Sequence, residues 1–218
     1  MSQPDRISRR QFLKWAGVAV GTSALTCGVL GVVATRAPRM EDIQTSCKGD
    51  AGMNDTILIA YATKCGSTAE IARAIGERLC EKGLSVDVRP VASVTDLSGY
   101  KAVVIGSAIR MGKWLPPALE FVSRHQAILA RLPTAAFTVH MLNADDTPES
   151  QAARATYVAP LHQVITPTGE AFFTGKIELA RMSLFDRMIS RAMKATDQDL
   201  RDWDRIRAWA DTLHAAFA

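Results

Sequence analysis

The 218-residue chain has no C-x-x-C pair, and its four cysteines (Cys27, Cys47, Cys65 and Cys80) match no zinc framework, so no metal site is expected. Cys27 falls in an apolar stretch and Cys47 in a polar one. A disulfide suits an exported domain, but the sequence does not pair them. An excess of one charge is also missing. Residues 1–14 hold Arg6, Arg9, Arg10 and Lys14 against Asp5, which leaves +1 of the formal +4 for everything after them. That speaks against a basic field for nucleic acid and equally against a strongly acidic carrier surface. Repeats and low-complexity tracts are absent, and a composition 48% hydrophobic and 22% charged points to one ordinary globular domain with extra segments. The G-x-x-x-x-G-K-[ST] and G-x-G-x-x-G patterns are missing too, which argues against ATP and dinucleotides.

What is there begins with SRRQFLK (Ser8–Lys14), followed by the moderately apolar run Trp15–Thr35. Paired arginines ahead of such a run resemble a twin-arginine export signal, a route that carries folded and often cofactor-loaded proteins. Val32-Val33-Ala34 offers small residues for cleavage. The run is also about as long as a membrane-spanning helix, so retention as an anchor is open. Residues 36–54 are polar and aperiodic and read as a linker.

From residue 55 apolar runs alternate with helical patterns, as in βαβ units around a parallel sheet. Strands are expected at Thr56–Tyr61, Ser85–Val91, Ala102–Ser107, Thr134–Val139 and Ala171–Thr174. Helices are expected at Ser67–Lys82, at Pro116–Leu132, through Ala159, and at Leu200–Phe217. The fold class is α/β, doubly wound. Ligands of such sheets sit outside the carboxyl ends of the strands, which draws attention to Thr63–Thr68, Ser107–Trp114 and His140–Asp146.

The first of these loops has two readings. Gly66, the hydroxyls of Thr63, Ser67 and Thr68, and the amide end of the next helix would suit a phosphate. Ser67-Thr68-Ala69-Glu70 equally fits a capping box. The spacing Ile59-x-Tyr61-x-Thr63-x-x-Gly66-x-Thr68-x-x-x-Ala72-x-x-Ile75 resembles the flavodoxin signature, with Ala60 where a larger apolar residue is usual. AVVIGSAIRMGKW (Ala102–Trp114), LEFVSRH (Leu119–His125), LPTAAFTVHML (Leu132–Leu142), Gly175–Ala195 and Asp202-Trp203 resemble the flavodoxin-type menaquinone-dependent protoporphyrinogen oxidases. The stretch before Asp202-Trp203 is shorter here, Thr196–Arg201.

The resemblance covers residues 55–218 and implies a flavodoxin-like, five-stranded parallel sheet of order 2-1-3-4-5 that binds FMN. It implies that Thr63, Lys64, Cys65, Gly66, Ser67 and Thr68 hold the phosphate. Ser107, Ala108, Ile109, Arg110, Met111, Gly112, Lys113 and Trp114 would line one side of the isoalloxazine, and Val139, His140, Met141, Leu142 and Asn143 the other. Trp114 would stack on the ring or cap the next helix. His140 would act as an acid–base or serve as a structural histidine. Implied partners are a quinone or a redox protein, a porphyrinogen substrate, and the membrane surface. Leu179–Lys194 is amphipathic, with Leu184, Phe185, Met188, Ile189 and Met193 to one side and Arg181, Arg187, Arg191 and Lys194 around the rest. It is either a helix packed on the domain or a basic surface for membrane, quinone or a porphyrin-like acid. A flavodoxin-like electron carrier without a small-molecule substrate is the alternative. Electron donor, acceptor and oligomeric state stay open.

Overall fold

A computed structural model describes residues 42–49, 55–192 and 195–217. The export signal, residues 36–41 and 50–54, and Met193 and Lys194 lie outside the described residues.

Strand β2 (Thr56–Ala62) is the centre of the fold. Its side chains alternate between two apolar clusters: Ile57, Ile59 and Tyr61 enter one, Leu58, Ala60 and Ala62 the other. That is why an uninterrupted apolar run was needed, since a parallel strand is covered on both faces. The isoleucines and Leu58 are fully buried, each stabilising by about 1.5–3 kcal/mol. Helix α1 (Ser67–Glu81) follows and places Ile71, Ile75 and Leu79 on the first cluster.

The remaining parallel strands are β3 (Ser85–Pro90), β4 (Tyr100–Arg110), β6 (Thr134–His140) and β7 (Gly169–Thr174). Their spatial order is β3-β2-β4-β6-β7, which is the expected 2-1-3-4-5. Helices α2 (Pro116–Arg124), α3 (Gln126–Leu129) and α4 (Pro148–His162) follow in sequence, and α2 and α4 pack on the second cluster. Helix α6 (Trp203–Phe217) returns to the first face, where Asp211 accepts a two-point bond from Arg78 of α1 at 2.8 and 3.0 Å.

Three features depart from the expectation. Residues taken as linker supply β1 (Thr45–Cys47), which pairs antiparallel with β3 through Thr45↔Val88, Ser46↔Asp87 and Cys47↔Val86. Cys47 is joined to Cys80 of α1 by a disulfide, and the Tyr61 hydroxyl donates to the Ile43 carbonyl at 2.9 Å. Second, β4 runs past Ser107 to Arg110 and folds back as a hairpin with β5 (Lys113–Trp114), so what was expected as a loop is largely strand. Third, a two-stranded stem, β8 (Lys176–Ile177) with β9 (Gln198–Asp199), precedes α6.

Met182–Ala195 is a separate unit and contains α5 (Leu184–Ala192). Ser183 caps it, its hydroxyl accepting from the Asp186 amide at 3.1 Å and donating to that residue's carboxylate at 2.7 Å. Leu184, Phe185, Met188 and Ile189 are all exposed.

Candidate functional site

Strand register brings the three expected loops together. Ala62 lies opposite Ser107, Ala108 opposite Val139, and His140 opposite Thr174, so the strand ends form one continuous rim. Gly175 closes it. A Cβ there would lie 2.9 Å from Val139, 3.0 Å from the Ser67 hydroxyl and 3.4 Å from the Met141 sulfur. Loops one and three therefore meet across a residue that has no room for a side chain.

In the first loop the capping box fails by one residue. Gly66, not Ser67, occupies the N-cap, with φ 92°, and no side chain caps the helix among the described residues. Glu70 is thus one position too far along for the reciprocal bond and turns instead to Arg181 and Arg201. The Gly66 amide is held by the Thr63 hydroxyl at 2.9 Å. The first amides of α1 have no intrahelical acceptor by construction, and their dipoles favour an anion. Thr68 is the decisive side chain. It is fully buried, and its Oγ1 has no hydrogen-bond partner among the described residues. A buried hydroxyl is normally satisfied, and this one, unpaired beside uncapped amides, has hydrogen-bonding capacity that an acceptor from outside the chain would fit.

The second loop is the β4–β5 hairpin. Its two turn residues, Met111 and Gly112, both have positive φ, 52° and 72°. This is the turn that follows strand twist, usually built with Asn or Asp ahead of Gly. Met111 is 81% exposed at the tip. Ser107 is buried and ties the hairpin base: its hydroxyl donates to the Ala108 carbonyl at 2.9 Å and accepts from the Leu115 amide at 3.0 Å. Trp114 corrects an expectation. It is 1% exposed in the second core cluster and its indole N–H donates to Thr138 at 2.9 Å, so it neither stacks on a ligand nor caps α2. Ala108 and Ile109 are half-buried and Arg110, Gly112 and Lys113 exposed.

In the third loop the Val139 and His140 side chains also turn inward. His140 Nδ1 bonds the Leu142 carbonyl at 2.8 Å, which places the proton on that nitrogen. Burial holds its pKa below the usual histidine value; the Leu142 carbonyl opposes this, and the charges of Arg154 and Arg205 add to it. Its burial and the Leu142 bond suit the structural role of the two that the sequence offered.

Because the unfolded ring takes its proton near the ordinary value, stability declines as pH falls below about 6.5, until the folded ring also protonates. We expect the denaturation midpoint to drop between pH 7 and pH 5. His140→Asn should flatten that slope by up to about 1.4 kcal/mol per pH unit. An unchanged slope would assign the decline elsewhere, His125 being the other buried histidine shifted the same way, first by burial.

Two residues that sequence reasoning missed build this loop. Arg154 of α4, itself buried, donates to the carbonyls of Asn143 at 2.6 Å and Asp145 at 2.5 Å and to the Asp146 carboxylate at 3.1 Å. Tyr157 accepts from the Asn143 side chain at 2.6 Å. Asn143 is left-handed at φ 57°, so both of its ends are fixed. Their three-residue spacing on a helix just after a polar loop was the available signal. Met141 is half-buried and Leu142 exposed on the rim.

A flavodoxin domain model matches residues 58–203. The chain belongs to the flavodoxin family. Ahead of the flavodoxin domain, a twin-arginine translocation signal matches residues 6–26, so the protein is exported across the cytoplasmic membrane. This chain is 28% identical over 167 residues to the protoporphyrinogen IX dehydrogenase (quinone) of Escherichia coli K12, covering 70% of this chain and 91% of that one. It is 27% identical over 180 residues to the Leishmania major protein of the same name, 76% and 77% of the two chains. Among solved structures, the flavodoxin of Streptococcus pneumonia TIGR4 matches with TM-score 0.45 at 17% identity, over 74% of this chain and 99% of that one.

FMN is the cofactor of this family, and the residues present fit it. The orphaned Thr68 hydroxyl, the Gly66 turn and the uncapped amides form a cradle for a phosphate dianion. Loops two and three supply a partly apolar rim in Ile109, Met111, Met141 and Leu142 for a flat ring. The chain is an FMN-binding oxidoreductase.

Proposed function

We propose that Thr63–Thr68 hold the FMN phosphate and that Ala108–Lys113 and Met141–Asn143 flank the ring. On this reading reducing equivalents pass from a porphyrinogen to a quinone at the outer face of the cytoplasmic membrane. The observation that carries the assignment is the buried, unpartnered Thr68 hydroxyl on an uncapped helix end. FMN when bound supplies the two-electron chemistry; the protein orients it and excludes water. Thr68 donates to a phosphate oxygen, Gly66 lets the backbone approach, and Cys65 contributes its amide. Lys64, Arg110 and Lys113 would place positive charge around the rim that would receive the ring. There they would stabilise a reduced, anionic flavin or pair with a substrate carboxylate. Trp114, Ser107, Val139 and His140 support the rim from inside rather than touching the ring.

The porphyrinogen and quinone rest on what the E. coli and L. major relatives are named for. The membrane rests on the export signal and on its apolar stretch, which we propose is kept as an anchor, with 36–42 as tether and 43–218 as the folded domain, Ile43 being held by the Tyr61 hydroxyl. Seven tether residues reach on the order of 25 Å at full extension, which keeps the domain close to lipid and to quinone dissolved in it. Helix α5, with Leu184, Phe185, Met188 and Ile189 exposed beside Arg187 and Arg191, is suited to that surface.

The test is a visible spectrum of the purified chain, followed by anaerobic addition of protoporphyrinogen and then menaquinone. Bleaching of the flavin by the first and recovery with the second are expected. Reduction by a redox protein but not by porphyrinogen would make the chain an electron carrier, and a folded chain that retains no flavin would defeat both readings.

A further inference from the structure

Glu70 makes contacts that phosphate binding does not require. Its Oε1 accepts from Arg181 at 3.0 Å, and its Oε2 accepts from Arg201. Arg181 directly precedes the Met182–Ala195 excursion, and Arg201 follows it by six residues, beyond β9. Arg181 leads into it and also pairs with Glu178 at 2.9 Å. Arg201 follows the stem strand β9, forks onto Asp199 at 2.8 and 2.5 Å, and stacks 4.5 Å over Trp203, with only 6% of its side chain exposed. The stem ladder is short: two residue pairs, Lys176↔Asp199 and Ile177↔Gln198, extended by the Leu200 amide on the Gly175 carbonyl at 3.1 Å, the Leu179 amide on the Asp197 carboxylate at 2.7 Å and the Thr174 hydroxyl on the Leu200 carbonyl. A ladder that short does not hold itself. One carboxylate on the first turn of α1 clasps both of its ends.

That carboxylate is also in an awkward place. It lies two residues beyond Thr68, on the turn whose amides would meet the phosphate, where a second negative charge repels the ligand. Two guanidiniums cancel it only while the stem is closed. If the stem opens, Glu70 faces the phosphate uncompensated. At the base of the stem, Gly175 rests on the Ser67 hydroxyl, so the same closure sets one wall of the cradle.

We propose that Glu70, through Arg201 and Arg181, is a positioning residue that links FMN binding to closure of the 176–201 stem. Phosphate at Thr63–Thr68 favours the clasped stem, and the clasped stem favours phosphate. The inference rests on the phosphate assignment above and adds a coupling to it.

The test uses the full chain, with FMN and with riboflavin, which lacks the phosphate. Arg201→Ala should weaken FMN about tenfold and riboflavin far less, within the usual range of linked sites. Adding Glu70→Gln to it should recover most of the loss, because the repelling charge is gone. Hydrogen exchange of the 176–200 amides should slow at least about fivefold on adding FMN to wild type, and not on adding riboflavin. Arg201→Lys, which keeps charge without the fork, should retain FMN affinity but lose part of that protection, and it serves if the alanine variant does not fold. An Arg201→Ala loss that Glu70→Gln fails to rescue, or equal loss for both flavins, would overturn the coupling alone. Wild-type protein that prefers riboflavin to FMN would overturn the phosphate assignment and the coupling with it.

Discussion

Thr68→Val is expected to leave the flavin-free protein at least as stable as wild type while weakening FMN about ten- to a hundredfold. The two halves have one cause. Valine has nearly the same shape, and the hydroxyl it replaces is buried with no partner among the described residues, so its removal deletes a desolvated polar atom rather than a bond. In the complex that hydroxyl would donate to a phosphate oxygen, and hydrogen bonds to charged groups contribute about 1.5–3 kcal/mol, which sets the loss in affinity. Riboflavin should bind both proteins alike. Flavin-fluorescence titration beside a denaturation curve makes the measurement. A variant that loses stability without losing FMN would mean the hydroxyl has a partner inside the fold.

Loss of the Cys47–Cys80 disulfide is expected to be the largest stability change available outside the core. The bond closes a loop of 33 residues, for which chain entropy gives about 3–4 kcal/mol. For a domain of this size that is roughly 8–15 °C in melting temperature. Cys47→Ser, or reduction of the wild type, should produce this drop with FMN affinity nearly unchanged, because Cys80 is at the far end of α1 from the cradle. The bond forms when two thiols give up two electrons and two protons to a thiol oxidant of the outer compartment. Protein held in the cytoplasm should therefore melt at the reduced temperature and take up alkylating reagent at both sites. Equal melting temperatures for exported and retained protein would remove the disulfide from the stability account.

How much of this was legible depended on whether local chemistry or a distant partner decided the outcome. The parallel strands could be read because runs such as Ile57–Tyr61, Ala102–Ile105 and Thr134–Val139 are largely apolar on both faces and bounded by small or polar residues, whereas their order followed from the resemblance to flavodoxins. Strand β1 could not: Thr45-Ser46-Cys47 has no pattern of its own and is a strand only because β3 offers an open edge and Cys80 a sulfur. The hairpin after β4 was hidden by Met111, which stands where Asn or Asp usually announces such a turn. Trp114 read two ways because a tryptophan beside a ligand loop suits either role. Only the Thr138 hydroxyl across the sheet puts it in the core. Ser67-x-x-Glu70 was the informative error. The residue types fit a capping box, but Gly66 takes the cap in a left-handed conformation and moves the register by one. The amides are thereby left open, and Glu70 is released to the two arginines.

The attachment of β1 also decides how the domain bears load. Were the N-terminal stretch kept as the anchor proposed above, a pull would first load Ile43, whose carbonyl accepts from the Tyr61 hydroxyl, then Thr45↔Val88, and Cys47↔Val86 last. Peeling then stops at Cys47, where the force passes through a covalent bond into α1 and the first core cluster. Tension on the tether would thus be carried by the helix that begins at Ser67, at its opposite end from the cradle, and the edge strand acts as a short, recoverable slack rather than as the point of failure.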